Sequence, residues 1–248
     1  MTSCKSTRSP ESTLIAGLIL FTSIVLNFLP SSSLGQTRIE QVRNLVTPGL
    51  VRQLSLKGFK IGQNIFVRIF KESSELEVWL KNSNTYNLFK TYEICNYSGA
   101  LGPKLMEGDG QSPEGFYHVT TGRLNPNSAF HLSFDLGFPN KFDRAKNRTG
   151  SYLMVHGNCV SIGCYAMTDR GIEEIYLLAE AALRQGQGFF RVQAFPFRMT
   201  PDNILLHSRS EWINFWLNLK QGYDYFEKYG IPPDVVVADK QYRFTKAR

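Results

Sequence analysis

The sequence predicts an α+β fold that is mainly β, with flanking helices and a helical C-terminal extension. Three observations point to it: alternating apolar and polar residues after position 64, a Gly- and Pro-rich loop over 96–117, and stretches of helical period after position 168. The 248 residues are enough for one sizeable core, and 42% hydrophobic with 20% charged residues is an ordinary globular composition.

The first 35 residues have the layout of an export signal. Lys5 and Arg8 precede an uncharged apolar run over 14–29, and Ser33-Leu34-Gly35 offers small residues for cleavage. This order is typical of a secretory signal peptide over 1–35, removed after Gly35. An uncleaved membrane anchor is the alternative, but a run of 16 residues is shorter than the roughly 20 that span a bilayer.

The net charge is +7, and it is +6 once residues 1–35 are removed. A basic exported protein favours anionic surroundings such as a cell wall or lipid headgroups, although mild basicity also serves solubility alone. The chain has no basic run and no nucleic-acid motif. We therefore expect no nucleic-acid partner.

Residues 36–60 predict a helical lead-in of one or two short helices, interrupted at Pro48-Gly49. The main domain is predicted over 61–200. It begins with a β-meander, NIFVRIF, ELEVWLK and TYNLFKTYEIC, whose last two strands are joined by a turn at 82–84. The long loop that follows is of the kind that often carries function.

Further strands are predicted at FYHVTTG, AFHLSFDLGF and residues 152–155. A helix follows, capped by Thr168 or Asp169 and stopped at Gly186. Its apolar face is predicted to carry Ile172, Ile175, Tyr176, Ala179 and Leu183, and its polar face Glu173, Glu174, Glu180 and Arg184. The stretch FRVQAFPF is predicted to form a strand. The extension, 201–248, is predicted to hold a helix from Ser210, with Trp212, Phe215, Trp216 and Leu219 toward the core, and a final hairpin through VVVA and QYRF.

The stretch YLMVHGNCVSIGCYAMTD, residues 152–169, holds His156, Cys159 and Cys164 within nine positions. As metal ligands they would form H-x2-C-x4-C. Zinc sites more often use paired C-x2-C or a second nearby histidine, so we expect no metal.

Cysteine parity bears on the disulfide alternative. Without the signal, Cys95, Cys159 and Cys164 remain, and in an oxidising compartment one of three must stay unpaired. Cys159 and Cys164 could bridge each other in a tight loop. We favour a Cys95–Cys159 pair, which leaves Cys164 free.

A free Cys164 would be a candidate nucleophile. A thiol needs a neighbouring base to react efficiently at neutral pH, and His156 stands at the end of a predicted strand, where its ring can be fixed. The carbonyl of Gly157 is a candidate to orient the imidazole. The amides of Gly163 and Cys164 could face a developing oxyanion.

These residues carry a family resemblance. His156-Gly157 followed by Ser161-x-Gly163-Cys164 is similar to the signature of YkuD-type L,D-transpeptidase domains, and SPEGF at 112–116 resembles a second segment of that family. The ordered blocks GALGPK, GDGQSPEGFY, GFPNKFDRA, VHGNCVSIGCYAMTD and FPFRMT resemble its YafK/DpaA branch, over roughly residues 60–230.

The resemblance implies a YkuD-like β-rich fold and a periplasmic enzyme that acts on peptidoglycan without a cofactor. It assigns the nucleophile to Cys164, the base to His156, the orienting carbonyl to Gly157 and the oxyanion loop to Ser161 and Gly163. Cys164 would attack the carbonyl of meso-diaminopimelate and form a thioester. The implied partners are peptidoglycan stem peptides and Braun-type lipoprotein linked to them, with no stable membrane span after signal cleavage.

The sequence departs from the common family pattern in two places. Only seven residues separate His156 from Cys164, and Ala166 replaces the arginine common two positions after the cysteine. Arg198 is a candidate substitute, with a surface salt bridge as the alternative. His131 and Lys104 are further candidates for substrate binding. The YafK/DpaA branch is associated with hydrolysing the link between peptidoglycan and Braun-type lipoprotein, so the resemblance favours an amidase that releases this lipoprotein. A transpeptidase that forms cross-links or attaches lipoprotein is the alternative, and an inactive wall-binding module is the alternative of another class.

Overall fold

The computed structural model describes residues 36–246; the predicted signal segment, 1–35, lies outside the described residues. The helices are α1 (Arg38–Leu56), α2 (Lys141–Ala145), α3 (Asp169–Arg184), α4 (Pro201–Leu206) and α5 (Ile213–Tyr229). The strands are β1 (Ile65–Phe70), β2 (Glu75–Asn82), β3 (Thr85–Glu93), β4 (Asn96–Tyr97), β5 (Gly115–Val119), β6 (Leu124–Asn125), β7 (Ser133–Asp135), β8 (Met154–His156), β9 (Tyr165–Ala166), β10 (Phe190–Phe195), β11 (Asp234–Ala238) and β12 (Gln241–Thr245).

Two five-stranded sheets organise these strands. The first has the order β3-β2-β1-β10-β5, with the predicted meander on one side and β10 parallel to β1. The second has the order β4-β9-β8-β7-β6. A large apolar core includes residues of both sheets, α1 and α3, and β11 pairs with β12 as a separate hairpin. The architecture confirms the predicted α+β, mainly β fold class.

The predicted break in the N-terminal helix is wrong. α1 runs without interruption through Pro48, although proline removes one intrahelical hydrogen bond. Burial explains why the helix continues, since Val42, Leu50 and Leu54 on both sides of the proline pack into the core. Arg43 also holds α1 against α3 through Glu180, at 2.8 Å.

The predicted α3 is confirmed, with Thr168 as its cap: Gly171 N donates to Thr168 Oγ1 at 3.2 Å. All five apolar residues predicted for its inner face are buried. Glu174 was expected on the polar face and is buried instead. It accepts hydrogen bonds from Lys90 Nζ at 2.6 Å and Tyr92 Oη at 2.9 Å, which explain how a carboxylate is accommodated there.

Two predicted strands are shorter than expected. β7 covers only Ser133–Asp135 within AFHLSFDLGF, and β8 begins at Met154 rather than at residue 152. His131 and Tyr152 have φ angles of +67° and +54°, so neither can continue an extended strand.

The C-terminal helix begins at Ile213, three residues later than predicted, and the predicted hairpin is present as β11–β12. Trp216 is buried and its Nε1 donates to Glu114 Oε2 at 2.9 Å, while the ring of Tyr242 stacks on Phe142 at 4.2 Å. Residues 36–246 fall in one compact unit. Across residues 36–246, the structure contains no helix long and apolar enough to cross a membrane.

Candidate active site

The second sheet brings His156 and Cys164 onto adjacent segments of the chain. β8 and β9 are parallel, with Val155 opposite Tyr165 and His156 opposite Ala166. Cys164 directly precedes β9, and its Sγ accepts a hydrogen bond from the Met154 amide at 3.4 Å. Because side chains alternate along strands, residues 154, 156, 164 and 166 share one face of the sheet. The two predicted catalytic side chains therefore lie on neighbouring strands of the same face.

The ring of His156 is held in one orientation. Its Nδ1 lies 2.6 Å from the carbonyl oxygen of Gly157, and the phenyl ring of Phe130 lies against it with centroids 4.7 Å apart. A carbonyl only accepts, so Nδ1 carries the proton and Nε2 is the ring's acceptor. Burial lowers the pKa of His156, partly offset by the Gly157 carbonyl. The imidazole is therefore neutral at neutral pH, and its Nε2 can accept a proton.

Only glycine fits at position 157. A Cβ there would come within 2.6 Å of Asp169 Oδ1 and 2.9 Å of the carbonyl oxygen of Phe130. The Gly157 amide donates to that same oxygen at 3.0 Å. The carbonyl that orients His156 is therefore fixed by close backbone packing.

The thiol of Cys164 is free and partly buried. Burial raises its pKa above the usual range, and the carboxylate of Asp135 adds to this rise. The Met154 amide and the ammonium group of Lys104 act in the opposite direction and lower the pKa. The resting pair is therefore a neutral thiol beside a neutral imidazole, and the thiol needs the base when a substrate arrives.

Two hydroxyl groups hold the backbone at Cys164. Ser161 Oγ donates to the carbonyl oxygen of Cys164 at 2.8 Å, and Ser112 Oγ donates to it at 3.0 Å. The role of Ser112 was not predicted from the sequence, although this residue lies in the segment SPEGF that resembles the family. Gly163 has a φ angle of +134°, which favours glycine, and its amide donates to Ser161 Oγ at 3.2 Å. In this structure the Gly163 amide thus faces the serine rather than an open oxyanion position.

A disulfide joins Cys95 to Cys159, with Cα atoms 5.4 Å apart. It connects the loop between His156 and Cys164 to the segment between β3 and β4. The structure thereby leaves Cys164 as the free thiol of the described chain. Cys159 is not available as a metal ligand, and residues 36–246 contain no cluster of three or more His, Cys, Asp or Glu suited to a metal.

Two candidate binding residues border this site. Lys104 is buried, and its Nζ contacts Asp109 Oδ1 at 2.5 Å and the carbonyl oxygen of Met106 at 3.0 Å. Its charge still reaches Cys164, whose pKa it lowers. His131 lies beside Gly157, and its Nε2 is 2.8 Å from Glu173 Oε1.

Arg198 is engaged elsewhere. Its guanidinium contacts Glu75 Oε2 and Glu77 Oε1, each at 2.7 Å, and lies over the ring of Phe70. These partners belong to the first sheet, whereas Cys164 lies in the second. A role for Arg198 in substrate binding stays a prediction.

Comparisons with known proteins identify relatives of the chain, although no protein-family model matches it. "Putative L,D-transpeptidase YafK" of Escherichia coli strain K12, and the protein of the same name from E. coli O157:H7, are each 47% identical over 186 residues, 75% of this chain and 76% of the relative.

Solved structures are more distant. The helical cell shape determining protein Pgp2 from Campylobacter jejuni is 16% identical, with a TM-score of 0.44, over 77% of this chain and 80% of that one. Bd1075 of Bdellovibrio bacteriovorus is 18% identical, with a TM-score of 0.37, over 55% and 52%. These two likenesses are too weak to carry an argument. The identity to YafK over three quarters of both chains is sufficient, and the chain belongs to the YkuD-type L,D-transpeptidase family, in the branch that includes YafK.

Proposed function

We propose that the chain is an exported cysteine enzyme that cleaves peptidoglycan peptides at meso-diaminopimelate and releases Braun-type lipoprotein attached there. The observation that carries the proposal is the free thiol of Cys164 beside a neutral His156 whose Nδ1 is fixed by the Gly157 carbonyl. Acyl transfer through a thioester needs this combination of nucleophile and oriented base. The predicted export signal supports a periplasmic location.

The chemistry follows from the geometry of the pair. Cys164 Sγ attacks the substrate carbonyl as His156 Nε2 takes the thiol proton. The tetrahedral intermediate collapses to a thioester when the imidazolium returns that proton to the departing amine. Water activated by the same nitrogen then releases the acid. An acceptor amine in place of water gives transpeptidation, which is the second candidate function and is favoured by the name of the YafK relatives.

The products distinguish these outcomes. Mature protein, residues 36–248, is incubated with wall fragments carrying lipoprotein and separately with tetrapeptide muropeptides, with Cys164→Ala as control. We expect mass spectrometry to detect released lipoprotein with the wild type only, and no new cross-links. New cross-links, or exchange of D-Ala for an added amine, would favour the transpeptidase. Wall binding without any turnover by the wild type would indicate an inactive binding module.

The pH dependence of kcat/KM is expected to show a plateau from neutral to mildly alkaline pH. Burial lowers the pKa of His156, so the base is lost by protonation only below its ordinary value near 6.5. Burial raises the pKa of Cys164, so the thiol keeps its proton through neutral pH. Initial rates between pH 5 and 9.5 test this. An acidic midpoint above 6.5 would contradict a neutral His156 in the free enzyme.

A further inference from the structure

A basic cavity of about 290 Å³ lies apart from the catalytic pair, between β5, the outer strand of the first sheet, the segment 136–144 and β11. Three cationic side chains line it, Arg123, Lys141 and Arg144. Its other walls come from β5, from the segment 136–140 and from the hairpin β11–β12, and they combine apolar with polar groups. None of the residues that line it is acidic. A cavity of this kind is suited to an anionic group attached to an aliphatic or peptide backbone.

The positive charge of this cavity is only weakly compensated. The closest carboxylate to Arg123 is Asp135, with 4.0 Å between Nη1 and Oδ1, and that oxygen already accepts from the Gly137 amide at 2.7 Å. Arg144 donates to the carbonyl oxygen of Pro139. Within residues 36–246, the structure records no ion pair for Lys141 or Arg144. Asp234, next to Val235 of the cavity wall, is paired with Arg191, and neither of these two residues lines the cavity.

The cavity adjoins the strand next to the nucleophile. Asp135, whose carboxylate is 4.0 Å from Arg123 of the cavity, is opposite Met154 across β7 and β8, and its side chain therefore lies on the same face of the sheet as Cys164. The Met154 amide in turn contacts Cys164 Sγ. The backbones at Asp135 and Cys164 are thus two strand spacings apart, which corresponds to about 10 Å. Three extended residues of a peptide substrate span roughly that distance.

We propose that this cavity is a second substrate subsite, which binds a carboxylate of the peptidoglycan peptide remote from the bond that Cys164 cleaves. The inference rests on the proposed function for the identity of the substrate. Arginine side chains bind carboxylates through paired hydrogen bonds, and lysine adds a point charge. Val235 and Val237 of the hairpin, which are partly exposed, give the aliphatic part of the peptide a wall to pack against. The subsite would therefore select acidic over amidated stem peptides.

The kinetic test uses the Lys141→Gln/Arg144→Gln double variant, with Lys146→Gln as the matched control. Lys146 is exposed at the C-terminus of α2 and does not line this cavity. KM and kcat are measured with a tetrapeptide muropeptide bearing free carboxyl groups and with its amidated form. We expect KM of the double variant to rise about tenfold for the acidic substrate only, with kcat within twofold. Equal KM values for wild type and double variant would overturn the subsite.

A binding test separates this inference from the proposed function. The same two muropeptides are titrated into Cys164→Ala protein, with and without the double substitution, and the ring signals of His118, which lines the cavity, are followed by NMR. Binding of the acidic form that weakens about tenfold in the double variant supports the subsite, even if the wild type shows no turnover. Binding that is absent, or that ignores the substitutions, overturns the subsite and leaves observed turnover unaffected.

Discussion

Cys164→Ala is expected to abolish the acyl-enzyme and to reduce turnover by at least about three orders of magnitude, because no other group replaces the thiol as nucleophile. The fold should survive the substitution. The sulfur makes two weak contacts, with the Met154 amide at 3.4 Å and the Tyr152 carbonyl oxygen at 3.7 Å. Intact-protein mass spectrometry during turnover checks this, since the wild type alone should gain the mass of the acyl fragment.

The matched control for this experiment is Ser161→Ala. Ser161 supports the backbone of Cys164 through its hydroxyl but supplies no nucleophile. It should slow acylation while the acyl-enzyme still forms. An adduct on Cys164→Ala protein, or turnover by it at the wild-type rate, would show that Cys164 is not the nucleophile. Thermal unfolding of each variant ensures that loss of activity is not loss of structure.

Lys71→Met is expected to cost about 3–5 kcal/mol in the free energy of unfolding, because it breaks a buried ion pair and leaves the carboxylate of Glu114 uncompensated. Both side chains are fully buried, with Lys71 Nζ 3.0 Å from Glu114 Oε1. Lys71 Nζ also donates to the carbonyl oxygens of Ala100, Gly102 and Ser112. Urea unfolding followed by tryptophan fluorescence measures the loss.

This pair should also affect activity. The carbonyls that Lys71 holds belong to the long loop after β4, and Ser112 of that loop supports the backbone of Cys164. Lys71→Met should therefore lower kcat/KM even where the protein is still folded. The exposed Lys60→Met should change stability by less than about 0.5 kcal/mol. Lys71→Met/Glu114→Gln should recover part of the loss, since it removes the unpaired charge. A loss no larger than that of Lys60→Met would contradict the importance of the pair.

Local pattern was enough for the regular elements of the fold. The meander β1–β3, α3 and the final hairpin follow from spacing that each segment carries within itself. The continuity of α1 through Pro48 was not predictable in this way, because it depends on burial against distant residues. The same holds for Glu174, whose burial depends on Lys90 and Tyr92.

The site was predictable where its residues are close in sequence. His156, Gly157 and Cys164 stand within one short stretch, and both the chemistry and the resemblance pointed to them. The role of Ser112 depends on a loop 52 residues before Cys164 in the chain. The cavity lined by Arg123 and Lys141 likewise combines segments that are far apart in sequence. Such long-range combinations leave no periodic signal.

The burial of Ala166 limits which side chains this position can hold. Its side chain is fully buried in β9, directly opposite His156. An interior packed to this degree has no room for the arginine that is common at this place in the family. We therefore expect that Ala166→Arg would disturb the packing around His156 instead of adding a contact to substrate.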